Sequence, residues 1–334
     1  MPKAHNLAHK APEERAEKPK RDHQTQNSLT LAATKLTAKN VNPLWVWPEL
    51  SQSRKSLMAV LNVTPDSFYD GGQNQVIEHA CQQALNWVEQ GALYIDIGGE
   101  SSRPGADSVS IQEELDRVLP VVEQLISVNP DLVISIDTVK PKVADFCLKA
   151  GARIVNDIRG LRDPEMRTVV SKHQAGAVIM HMRGVPKTMQ KGDLSSTNIV
   201  EETYDWLEKR LKDCLVDGIA LQQVALDIGI GFGKTLAQNL KLIKDLNRFS
   251  SLGCPLLIGA SRKSFIGAID GSSTADRLPG SLSTIVEASH RGGNIFRIHD
   301  VAESKQALWV AESIALGDRA LPPLNLSDYL SRGP

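Results

Sequence analysis

Between residues 57 and 314 one unit recurs about eight times: a short apolar run, a polar residue closing it, a loop, and an amphipathic stretch. The apolar runs cover 57–61, 93–97, 132–136, 153–155, 177–180, 223–226, 256–258 and 294–298. They are too short for helices and apolar on both sides, as strands are when helices cover both faces of a parallel sheet. Helical periodicity follows each, over 75–90, 111–128, 142–150, 164–174, 199–218, 237–252, 276–291 and 301–314. Gly91, Gly151, Gly176, Gly218 and Gly253 stand where helices should end, suiting the left-handed position after a helix. Such alternation within one domain's length predicts an α/β fold that closes as a (β/α)8 TIM barrel. An open doubly wound sheet is the competing architecture.

The flanks differ from this core. Residues 1–40 are rich in Lys, Glu, Gln, Asn and Thr, with little apolar periodicity before Leu29, and read as a disordered extension or linker. They hold no apolar segment of the secretory kind, and Glu13, Glu14, Glu17 and Asp22 disfavour a mitochondrial transit peptide without ruling one out. Residues 41–56 read as a docking segment whose Trp45 and Trp47 cover one end of the barrel, which spans 57–318; 319–334 form a tail. A formal charge of -1 gives no general electrostatic case for nucleic acid or membrane surfaces, and no apolar run is long enough to cross a bilayer. Cys81, Cys147, Cys214 and Cys254 are scattered among apolar neighbours, without metal-ligand spacing. Buried reduced thiols and a cytoplasmic location are therefore expected, with a mitochondrial one left open.

In a barrel of this kind the loops after the strands form one functional face. The strand ends read Asn62, Asp96, Asp137, Asn156 with Asp157, His181, Asp227, Ser261-Arg262-Lys263, and Arg297 with His299. So many polar ends together describe a pocket for a polar heterocycle plus an anion. A carboxylate meets a guanidine-like ring edge with two parallel hydrogen bonds, a task for Asp137 and Asp227, with Asn156 supplying both donor and acceptor. Asp137 could instead cap the following helix. Ser261-Arg262-Lys263-Ser264 opens a helix, where anions are favoured, and Arg297 and His299 share one side of the last strand. With Asn62 they could hold a diphosphate and its Mg2+. Asp300 and Glu303 read as a capping box. Gly229-Ile230-Gly231-Phe232-Gly233-Lys234-Thr235 misses the phosphate-binding P-loop because Ile228 replaces its first glycine; Lys234 breaks the dinucleotide fingerprint. What remains is a mobile loop beside Asp227.

Several motifs, in order, resemble the dihydropteroate synthase family: Leu61-Asn62-Val63-Thr64-Pro65-Asp66-Ser67-Phe68, Asp96-Ile97-Gly98-Gly99-Glu100-Ser101-Ser102-Arg103-Pro104-Gly105-Ala106, Ile136-Asp137-Thr138, Asn156-Asp157-Ile158, Met180-His181-Met182-Arg183, Gly229-Ile230-Gly231-Phe232-Gly233-Lys234, Ser261-Arg262-Lys263-Ser264-Phe265-Ile266-Gly267 and Arg297-Ile298-His299-Asp300. The resemblance implies condensation of 6-hydroxymethyl-7,8-dihydropterin diphosphate with 4-aminobenzoate, releasing diphosphate, by dissociative substitution without a covalent nucleophile. It implies that Asp96, Asp137, Asn156, Met180, Asp227 and Lys263 bind the pterin. Asn62, Arg297 and His299 would bind the diphosphate, with Asn62 on Mg2+ and with Lys263, Arg297 and His299 catalytic. Ser102, Arg103, Pro104, Phe232 and Ser264 would lie near the aminobenzoate, and the loops 63–72 and 99–108 would close over the site. A homodimer is expected. Ser102 replaces a usual threonine, Ile228 a common proline and Arg159 a small residue, and Pro279 interrupts the Arg277-Leu278-x-Gly280-Ser281 run. Two rivals remain: a pterin-binding methyltransferase barrel, and a non-catalytic barrel or a fragment of a multifunctional folate enzyme.

Overall fold

The structure, a computed structural model, describes residues 47, 55–63, 73–101, 108–190 and 193–317. Its eight strands are β1 Ser56–Asn62, β2 Tyr94–Gly98, β3 Val133–Asp137, β4 Ile154–Asp157, β5 Gly176–Met180, β6 Val224–Asp227, β7 Leu256–Ile258 and β8 Ile295–Ile298. Each pairs in parallel with the next, and β8 returns to β1 with Met58 opposite Arg297. The open sheet is thereby excluded.

Closure explains why the strand runs are apolar on both sides. Odd and even positions along a strand point to opposite faces. Leu57, Ala59, Ile95, Ile97, Ile134 and Ile136 belong to the core between sheet and helices. Their neighbours Met58, Tyr94, Ile154, Val178, Ala225, Leu257 and Ile295 fill the barrel interior together with Trp47. Trp47 stands edge-on to Tyr94, centroids 5.5 Å apart, and its Nε1 donates to Gln223 O at 3.0 Å. It covers the N-terminal end of the barrel; Trp45 lies outside the described residues.

The helices are α1 Gln73–Gln90, α2 Ile111–Val128, α3 Pro141–Lys149, α4 Pro164–His173, α5 Ile199–Val216, α6 Leu236–Lys244, α7 Ser264–Asp270, α8 Leu278–His290 and α9 Val301–Leu316. Three expectations need correction. The helix expected over 237–252 is α6 followed by a 3-10 segment, Leu246–Leu252, because the buried Leu246, Phe249 and Leu252 recur every third residue, the 3-10 period. The helix expected to open at 261–264 is the seven-residue α7. Gly176 opens β5, and the left-handed residue after α4 is Gln174 at φ 50°. Asp300 makes no side-chain cap; Arg262 takes both its oxygens, at 2.8 and 2.7 Å. All four cysteines are free and buried. Among the described residues no helix is long and apolar enough to cross a membrane. Residues 1–40 and 319–334 lie outside the described residues.

Candidate active site

Above the apolar interior the next inward positions turn polar. Asp96 follows Tyr94 on the inner face of β2, Asn156 follows Ile154 on β4, Asp227 follows Ala225 on β6, and Arg297 follows Ile295 on β8. Arg297 joins two of the carboxylates: its Nε donates to Asp96 Oδ2 at 2.6 Å and its Nη2 to Asp137 Oδ2 at 2.7 Å. Asn156 Nδ2 donates to the same Asp96 oxygen at 2.9 Å. The other one, Asp96 Oδ1, is buried without a hydrogen-bond partner among the described residues. Orphaned buried acceptors are costly, so this one invites a donor from a ligand or water.

Asp137 does not cap α3. The N-cap residue is Lys140, and the Asp137 carboxylate faces Arg297 instead. Burial raises its pKa above the usual carboxylate range; Arg297 opposes the rise and Asp96 adds to it. Asp227 is raised the same way, with Lys263 opposing, and its Oδ1 accepts from Gly229 N at 2.7 Å. Lys263 is pulled down to about 8 by burial, against the attraction of Asp227. Its Nζ donates to Ile230 O at 2.5 Å and lies 4.5 Å from the Phe232 ring centroid. A Cβ on Gly259 would sit 3.8 Å from both Asp227 Oδ2 and Lys263 Nζ and 3.9 Å from Arg297 Cβ, so the three side chains converge over that glycine. Met180, Met182 and Met189 form an apolar wall with Phe232 and Ile158.

The remaining residues surround this cup. Asn62 ends β1, exposed, opposite Gly98. His299 follows β8, exposed, its Nδ1 3.0 Å from Ser261 Oγ. Ser264 begins α7 and is exposed. Ser102, Arg103 and Pro104, and the loop from residue 64 to 72, lie outside the described residues.

Some polar strand ends do structural work. Asp157 accepts from Arg159 N and Leu161 N at 2.7 and 3.0 Å, closing its own turn on the side opposite Asn156. His181 is buried against Trp206, centroids 5.3 Å apart, with Nδ1 3.3 Å from Thr203 Oγ1. Arg262, at φ 53°, turns away to Asp300. Lys234, at the end of the glycine-rich loop, is a brace. It is buried, and its Nζ donates to His181 O, Gly229 O and Phe232 O at 3.1, 2.8 and 3.1 Å. Three donors on an ammonium meet three carbonyls. Gly229 is required there, because at φ 66° a Cβ would fall 1.9 Å from His181 O. Nothing in the spacing of Lys234 signals this role; a lysine closing a glycine-rich loop looks like a phosphate ligand.

Known proteins share this chain's pattern. The family described as pterin binding enzyme matches residues 58–299. The dihydropteroate synthase of Escherichia coli K12 is 42% identical over 264 residues, 79% of this chain and 93% of that protein. Among solved structures, Xanthomonas albilineans dihydropteroate synthase with 4-aminobenzoic acid is 38% identical with a TM-score of 0.73, covering 80% of this chain and 94% of that one. The same enzyme in complex with 7,8-dihydropteroate is 36% identical, TM-score 0.71, covering 80% and 95%. The chain belongs to the pterin binding enzyme family and, within it, to the dihydropteroate synthases.

Proposed function

We infer that the protein condenses 6-hydroxymethyl-7,8-dihydropterin diphosphate with 4-aminobenzoate, giving 7,8-dihydropteroate and diphosphate in folate biosynthesis. The observation that carries this reading is the polar layer of Asp96, Asp137, Asn156 and Asp227, closed by Arg297 and Lys263. A pterin edge donates hydrogen bonds that carboxylates accept in pairs, and the orphaned Asp96 Oδ1 supports such a ligand. Arg297 spends two N–H groups on the carboxylates and has five in all, so one side chain can neutralise the cup and still face a phosphate. Lys263 and His299 complete the anion side, and Met180 and Phe232 the apolar walls. The chemistry asked of these groups is positioning and charge stabilisation while diphosphate leaves and the aryl amine attacks. Ser102, Arg103, Pro104 and Ser264 remain the proposed aminobenzoate contacts.

No cluster of His, Cys, Asp or Glu able to hold a metal ion occurs among the described residues. Mg2+ fits nonetheless, because it keeps several waters and binds through phosphate oxygens, leaving Asn62 to supply one hard oxygen. When bound it would neutralise charge on the departing diphosphate. A homodimer belongs to the same reading: α9 exposes Trp309, Val310 and Ile314, apolar surface that a second copy would cover. The free thiols support a reducing, cytoplasmic compartment. A methyltransferase barrel would share the carboxylates but has no use for Lys263, Arg297 and His299 as an anion clamp. Diphosphate release measured with and without 4-aminobenzoate tests the reading. Release should depend on the amine; release that ignores it, or none at all, would overturn the assignment.

A further inference from the structure

Behind the pterin cup lies a second charged cluster that no substrate is expected to touch. Lys140, at the head of α3, donates through Nζ to the carboxylates of Glu100 and Glu114. Glu100 lies two residues beyond β2, while Glu114 sits on α2 with its side chain 1% exposed. Glu114 Oε1 is buried with no hydrogen-bond partner among the described residues, so Lys140 is its main compensation. Burial works against the Lys140 charge, yet the bonds from Glu100 and Glu114 hold its pKa above the ordinary lysine value. The same corner is tightly packed. Arg117 Nη1 donates to Gly99 O at 2.7 Å, and a Cβ on Gly99 would lie 2.8 Å from Val118 Cγ1 and 3.1 Å from Glu114 Cγ. One residue back, a Cβ on Gly98 would touch Asp137 Cβ at 3.4 Å. Lys140 therefore ties α2, the segment after β2 and the start of α3 together, two residues from the Gly98 wall on which Asp137 rests.

We propose that Lys140 is a positioning residue for the pterin site: it clamps Glu100 and Glu114, fixes the end of β2 beside Asp137, and cancels carboxylate charge that would otherwise bear on Asp137. The charged groups whose fields reach Asp137 are Arg297 from β8, Asp96 from β2, Glu114 from α2, Asp157 from β4 and Lys263 before α7. Arg297 and Lys263 are cations, so the three carboxylates outnumber them unless Lys140 offsets Glu114.

The test is calorimetric titration of 6-hydroxymethyl-7,8-dihydropterin diphosphate into the full chain across the neutral pH range, for Lys140→Met, Lys140→Arg and Lys140→Met with Glu114→Gln. Lys140→Met should weaken binding about tenfold and raise the pH of half-maximal affinity by about one unit, because uncompensated carboxylates disfavour the ionised Asp137. Lys140→Arg should restore affinity. The double variant should return the pH midpoint while affinity stays low, since the charge is removed but the clamp is not rebuilt. A purely structural role would lower thermal stability and leave the midpoint in place, and that result would overturn the proposal. If Lys140→Met does not fold, Glu100→Gln carries the test: losing one negative charge should move the midpoint down, and an unmoved midpoint overturns it. The inference rests on the pterin reading, and failure of the parent chain to bind any pterin would overturn that reading instead.

Discussion

Arg297 is where two demands on the site meet. The sequence reading gave it to the diphosphate, and the structure also gives it to Asp96 and Asp137. Its removal should therefore do more than lose a phosphate donor, because a buried carboxylate stripped of its partner costs roughly 1–3 kcal/mol or more. Arg297→Ala should weaken binding of 6-hydroxymethyl-7,8-dihydropterin itself about tenfold or more, with or without the diphosphate. His299→Ala removes an exposed ring whose Nδ1 lies 3.0 Å from Ser261 Oγ. That variant should lose affinity only for the diphosphate form. Titrating both ligands into both variants decides the matter, and identical losses in the two would sink the division of labour. Asn156 and Asp157 show why sequence could not assign every strand end. Adjacent in the chain, they face opposite ways, and only closure of the barrel says which is inside.

At the scale of elements, the loop after β6 carries its own pH dependence. Burial holds Lys234 down to about 7, with Asp227 opposing and Lys263 adding to the fall, while the unfolded chain keeps its ammonium up to 10.5. Between those values the unfolded state binds the extra proton. Stability must then rise with pH across that window, and the cost of burying the charge is fully present below it. Lys234→Met should flatten this rise, which urea midpoints taken from neutral to alkaline pH would reveal; parallel curves would exclude the lysine as the cause. Most elements were legible beforehand, because a run apolar on both faces leaves little choice but a covered parallel strand. What escaped were the features set by tertiary contacts. Arg262 at φ 53° turns its side chain from the pocket to Asp300, and the 246–252 segment tightens to pack Phe249.

As a whole molecule, the barrel separates an apolar floor, sealed by Trp47, from a polar upper layer. All eight strands and the residue that covers the floor come after residue 46, and the composition of 1–40 cannot bury a core. A chain beginning at residue 41 should unfold cooperatively with a melting temperature close to that of the full chain; calorimetric scans of the two would show it, and a lost transition would contradict it. Ring closure also imposes an order in time. β1 is made first, yet one of its two neighbours is β8, made last. The bond from Arg297 to Asp96 spans 201 positions and that to Asp137 spans 160. While the chain is still leaving the ribosome, the acidic half of the pocket already exists and the cation that neutralises it does not. A nascent barrel is thus left with mutually repelling carboxylates and an unpaired β1 edge, the kind of exposed strand that chaperones exist to shield. The arrival of one strand ends both conditions together, so the step that completes the fold is also the step that makes the pocket fit to receive an anion.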